Sequence, residues 1–128
     1  MHVLIVEDQP NDLRIATSAA TESGFHEVEA RSSVGAAREY LEKALEGAQR
    51  LPDAIVLDLD LGYESGFELL RFWHGNPELA KVPVVVWTVL GEQYREICTM
   101  FRVAAYIDKG AGGGALRNAL GGLAQKAS

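Results

Sequence analysis

An acidic pair at Glu7-Asp8, a carboxylate at Asp58, a hydroxyl at Thr88 and an ammonium at Lys109 lie far apart in the chain. Each follows a short apolar run: VLIV (3–6), AIVL (54–57), VVVW (84–87) and, with Asp108 between, AAYI (104–107). An unpaired carboxylate in an apolar setting costs several kcal/mol, roughly, or takes up a proton. Polar groups at the ends of such runs therefore need partners or an open crevice. Glu7, Asp8 and Asp58 would set three negative charges against the single Lys109, a cluster that repels itself unless a cation joins it or a proton is retained. Oxygen ligands without His or Cys point to a hard ion, and a site that keeps several waters suits Mg2+. The set suits phosphoryl transfer. A carboxylate attacks, Mg2+ and Lys neutralise the phosphoryl oxygens, and Thr donates a hydrogen bond.

These groups meet only if the runs are neighbouring strands. Apolar without alternation and rich in Val and Ile, the four runs read as strands of a parallel sheet buried on both faces. HEVEARS (26–32) instead alternates, with Glu27, Glu29 and Arg31 against Val28 and Ala30, and reads as a half-exposed edge strand. Helical spacing fills the gaps. The stretch after Pro10 places Leu13, Ala16 and Ala20 on one face and stops at Gly24; 34–46 follows a Ser33 cap; 66–74 follows Ser65-x-x-Glu68, a capping box. Helices are also expected over 92–101 and 114–126, the last weakened by Gly121 and Gly122 at roughly 1 kcal/mol each against Ala. Strand and helix thus alternate five times, the pattern of a doubly wound α/β sheet with right-handed crossovers. Such a sheet delivers the C-terminal ends of its strands to one edge, where ligands bind.

With these residues in this order, the chain resembles the response-regulator receiver domains, a likeness that covers essentially residues 1–128. VLIVEDQPND matches the first strand and acidic pair, IVLDLDLGYESGFELL the phosphoacceptor strand, loop and third helix, VVVWTV the Thr, and AAYIDKG the Lys with an aromatic before it. The resemblance implies a flavodoxin-like (βα)5 three-layer sandwich with a five-stranded parallel sheet in the order 2-1-3-4-5. It implies phosphorylation at Asp58, with Mg2+ held by Asp8, Asp58, the Asp60 backbone carbonyl and Glu7 through water. Thr88 and Lys109 would hold the phosphoryl group, and Thr88 and Tyr106 would switch a protein-binding face on the fourth helix, fifth strand and fifth helix. A sensor histidine kinase or histidine phosphotransfer protein would be the donor and a downstream protein the target, with a phosphorylation-linked homodimer left open. The module would assist its own phosphorylation and dephosphorylation without being an enzyme in the usual sense. One departure stands out. Gly110 replaces the Pro that usually follows the Lys after a cis bond, and because cis before Gly costs about 2.5–4 kcal/mol, a trans bond and a displaced Lys109 are expected.

The totals narrow the alternatives. A chain of 128 residues, 48% hydrophobic, is long enough for one domain with its own core. The net charge of −6 disfavours nucleic acid and anionic membrane surfaces. No apolar stretch approaches the ~20 residues of a membrane span, and the single Cys98 cannot form an internal disulfide, so a cytoplasmic location is expected. With no output domain after the fifth helix, the expected output is protein–protein contact or phosphorelay. A receiver-like scaffold that binds constitutively is the alternative. A remote one is an Asp-nucleophile phosphohydrolase, because Asp58-Leu59-Asp60 resembles the Asp-x-Asp motif of haloacid-dehalogenase enzymes; Gly62 stands where those enzymes carry Thr or Val.

Overall fold

Each apolar run becomes a strand because its alternate residues serve two separate cores. In the computed structural model, which describes residues 1–127, β1 (His2–Val6), β2 (Glu27–Arg31), β3 (Ala54–Leu57), β4 (Val84–Thr88) and β5 (Ala105–Asp108) form one parallel sheet. Ser128, the last residue of the expected domain, lies outside the described residues. The strand order is β2-β1-β3-β4-β5, the flavodoxin-like order the sequence implies. Leu4, Val6, Ile55, Leu57, Val84 and Val86 face one core; Val3, Ile5, Ala54, Val56, Val85 and Trp87 face the other. This two-sided burial removes any polar alternation from the three central strands. β2 pairs with β1 alone and is only partly buried, which accounts for its period-2 pattern.

The helices cover both faces. On one lie α1 (Pro10–Glu22) and α5 (Gly113–Ala127), whose Ala16, Ala19, Ala20, Leu116 and Leu120 share a core; Ser23 Oγ also donates to Arg117 O at 2.9 Å. On the other lie α2 (Val34–Leu45), α3 (Gly66–His74) and α4 (Arg95–Met100), which bury Leu41, Leu69, Leu70, Trp73 and Cys98. Ser33 caps α2 by accepting from Ala36 N at 3.1 Å. Ser65 caps α3 through Phe67 N at 3.2 Å, one residue short of the Glu68 N that a capping box engages. Burial pushes the Cys98 thiol up to about 11, so it is an inert core thiol, in line with the sequence reading.

Three features depart from the sequence reading. The helix expected over 92–101 divides into a 3-10 turn, Glu92–Tyr94, and the six-residue α4. A two-residue hairpin, Asp60–Leu61 against Glu64–Ser65, stands between β3 and α3, turning at Gly62 with φ of 70°. Further on, Leu79–Lys81 forms a 3-10 turn before β4. Among the described residues, no helix is long and apolar enough to cross a membrane.

Candidate functional site

Strand register assembles the site. Val6 lies beside Leu57, Leu57 beside Val86, and Thr88 beside Asp108, so the residues at the strand ends emerge along one edge. Asp58 is buried there at 3% exposure, yet both carboxylate oxygens are engaged. Oδ1 accepts from Thr88 Oγ1 at 2.8 Å and from Asp60 N at 3.0 Å, and Oδ2 accepts from Lys109 Nζ at 2.7 Å. Thr88 is fully buried, and the Lys109 side chain is 8% exposed. Three donors thus meet the hydrogen-bonding needs of a carboxylate that burial has taken out of water.

Lys109 is shared. Its Nζ also lies 2.7 Å from Glu7 Oε1 and 2.8 Å from Asp12 Oδ2, and 5.0 Å from the centre of the Trp87 ring. Burial works against the ammonium, but Asp12, Asp58 and Glu7 outweigh it and hold its pKa above the ordinary lysine value. The described peptide bonds include no cis bond, as expected for Lys109-Gly110; the expected displacement of Lys109 does not follow, because its ammonium still reaches Asp58. Asp108 contributes by accepting from Gly110 N at 2.8 Å, which shapes the turn after Lys109.

Whether the acidic cluster suits a divalent ion can be judged from its unmet bonds. Oxygens of Glu7, Asp8 and Asp58 lie within 4.8 Å of one another, and Asp8 Oδ1 is buried with no hydrogen-bond partner among the described residues. Burial chiefly, then the charge of Asp58, lifts the Glu7 carboxyl to about 7 against the lowering contacts from Lys109 and Gln9 N. Orphaned carboxylate oxygens, all hard donors, and a carboxyl driven toward its neutral form are what a Mg2+-like ion would relieve, so the residues fit such a group. Asp60 is exposed and its carboxylate is not among the three that converge; its amide N–H is the group that touches Asp58.

The aromatic expected to act with Thr88 lies close to it. Tyr106 is buried at 7% exposure, and its hydroxyl donates to the carbonyls of Leu90 and Gly91, both at 2.9 Å, in the loop that follows Thr88. Leu90 N in turn donates to Thr88 Oγ1 at 3.4 Å, so Thr88 and Tyr106 grip one loop from its two sides. Asp12 was not singled out from the sequence. It stands in the first turn of a helix that starts at the strand-end edge, and that placement is the signal that could have found it. Gly66 was likewise overlooked: a Cβ there would lie 2.4 Å from the Asp58 carbonyl oxygen.

A model of the response regulator receiver domain matches residues 3–121. The chain belongs to that family. This receiver domain is 31% identical over 97 residues, 73% of the chain, to the two-component response regulator ORR1 of rice (Oryza sativa subsp. japonica). It spans 42% of the length of the curated relatives it matches. Among solved structures, the phosphorylated cyanobacterial phytochrome response regulator RcpA is similar at a TM-score of 0.78 and 31% identity, over 95% of this chain and 89% of that one. The Mn(2+)-bound form of response regulator Rcp1 is similar at 0.78 and 28%, over 95% and 90%. Receiver domains are the phospho-accepting modules of two-component systems, and a relative bound to Mn(2+) agrees with the acidic cluster found in this one.

Proposed function

We propose that Asp58 accepts a phosphoryl group from a histidine of a sensor kinase or phosphotransfer protein. A carboxylate oxygen of Asp58 attacks phosphorus, the P–N bond to the donor imidazole breaks, and the imidazole leaves with the bonding pair and takes up a proton. The observation that carries this reading is the Asp58 carboxylate itself, held at once by Thr88 Oγ1 and Lys109 Nζ. Those two donors aim at the oxygens of a group attached there. Asp8 and Asp58, the Asp60 carbonyl, and Glu7 through water would hold Mg2+, which supplies charge neutralisation for the phosphoryl oxygens when bound. The same donors serve hydrolysis, in which a water oxygen attacks phosphorus, the P–O bond to Asp58 breaks, and inorganic phosphate leaves with the Asp58 carboxylate restored, so the module assists its own phosphorylation and dephosphorylation. That Lys109 reaches Asp58 despite Gly110 weighs against a constitutive scaffold that ignores phosphate.

The switch follows from the shared loop. When Thr88 turns from Asp58 Oδ1 to a phosphoryl oxygen, its hold on Leu90 N changes, and with it the two carbonyls that Tyr106 grips. The readout is a shift between two arrangements of the α4–β5–α5 face, which a downstream protein reads in the cytoplasm. A phytochrome-type kinase is the first donor to try, because RcpA is a phytochrome response regulator.

Intact mass after incubation with acetyl phosphate tests the chemistry. One added phosphoryl group is expected with Mg2+, and none with chelator or in Asp58→Asn; a gain that needs neither overturns it. The metal site makes a second prediction. Mg2+ binds the Glu7 carboxylate form, so calorimetric affinity should fall below pH 7, by up to about tenfold per pH unit. Without metal the sign reverses. Glu7, raised from 4.5 to about 7 in the fold, contributes stability that is full below pH 4.5 and lost as pH rises through about 7.

A further inference from the structure

Lys109 Nζ donates to Asp12 Oδ2 at 2.8 Å and to Asp58 Oδ2 at 2.7 Å, and forms an ion pair with Glu7 Oε1 at 2.7 Å. Two of the three, Glu7 and Asp58, also belong to the acidic group whose oxygens converge within 4.8 Å; Asp12 does not. A divalent ion in that group would draw on the lone pairs of Glu7 and Asp58 and repel the ammonium beside them. Lys109 opens a three-residue 3-10 turn, Lys109–Ala111, that leads through Gly112, at φ of 82°, into α5. Asp12 comes from a separate element, the first turn of a 13-residue helix that begins at Pro10, where the ring fixes φ.

We propose that Asp12 is the positioning residue for Lys109 in the metal-loaded protein: it keeps the one carboxylate contact that the metal does not claim, and so holds the ammonium over Asp58 for the incoming phosphoryl group. Trp87, 5.0 Å beneath Nζ, supports the same placement through its ring. The inference rests on the phosphoacceptor reading for its consequence, and on the contacts of Lys109 for its substance.

The test compares wild type, Asp12→Asn and Asp12→Glu, each with saturating Mg2+ and with chelator. Reductive methylation of Lys109, followed by peptide mass spectrometry, reads how firmly the amine is held. In Mg2+, Asp12→Asn should raise Lys109 labelling about tenfold, the loss of one charge-assisted bond, and Asp12→Glu should restore protection. With chelator the rise should be clearly smaller, because Glu7 and Asp58 still hold the amine. In parallel, Asp12→Asn should slow acetyl phosphate uptake in the wild-type background and leave the Lys109→Ala background unaffected. Labelling that does not rise, or that rises equally with and without Mg2+, overturns the inference, as does faster phosphoryl uptake in Asp12→Asn. Should wild type take up no phosphoryl group at all, the phosphoacceptor reading fails, and the labelling result still decides on Asp12.

Discussion

Lys109→Ala is expected to destabilise the metal-free protein by about 3–5 kcal/mol at pH 8, and Mg2+ is expected to recover much of that loss. The lysine is the cation on which Glu7, Asp12 and Asp58 all converge, and Glu7 and Asp58 are each only 3% exposed. Removing it leaves buried like charges facing one another with no counterion. Glu7 is the group that can escape by protonation, since burial and the Asp58 charge already lift it to about 7 with the lysine present. The penalty should therefore shrink below pH 7, where a proton takes the place of the ammonium. Denaturant unfolding at pH 8 and pH 6, with and without Mg2+, checks all three statements. The same variant should take up phosphate from acetyl phosphate about 10²-fold more slowly, because one of the two donors aimed at the transferring group has gone. A Lys109→Ala protein as stable as wild type at pH 8 without metal would show that these carboxylates do not depend on the lysine.

Gly66→Ala carries the second large effect. A methyl group on Gly66 would sit 2.4 Å from the Asp58 carbonyl oxygen and 2.8 Å from Leu59 Cα, both main-chain atoms that no side-chain rotation can clear. The glycine begins α3, and its N–H donates to Leu59 O at 2.9 Å, so the helix and the segment that follows β3 touch backbone to backbone. Alanine must push α3 off the strand end or break that bond. About 3 kcal/mol or more of stability should be lost, and any protein that still folds should show weakened Mg2+ binding, because the displaced backbone is that of Asp58. Gly35→Ala is the internal control: nothing lies within 4 Å of a Cβ there, and alanine favours the helix it occupies. Thermal unfolding of the pair gives the comparison directly.

How much of this could be read from the residues depends on the range of the forces involved. The sheet was legible because burial on both faces leaves an unbroken apolar run, and β2 was legible as an edge because its exposed face restores alternation. Asp58, Thr88 and Lys109 were legible because parallel strands end together, so whatever follows each run shares one edge. What stayed hidden depends on long-range contact. The hairpin at Asp60–Ser65 has two-residue strands, too short to show a period. The split of the helix over 92–101 accompanies Tyr106, which takes the carbonyls of Leu90 and Gly91 from another element and fixes the entry to Glu92–Tyr94. Glu64 reaches across to accept from Val34 N at 3.1 Å, tying the hairpin to the start of α2, and nothing local marks it for that. Asp12 and Gly66 matter through partners 97 residues away and through a steric approach, neither of which a single segment displays.

The most direct measurement is chemical location of the phosphoryl group. Protein treated with acetyl phosphate and Mg2+ would be reduced with borohydride, which converts an aspartyl phosphate to homoserine, then digested and sequenced by mass spectrometry. The account predicts homoserine at position 58, absent when Mg2+ is chelated and absent in Asp58→Asn. A phosphoryl group trapped at any other residue, or no uptake by folded, Mg2+-loaded protein, would contradict it.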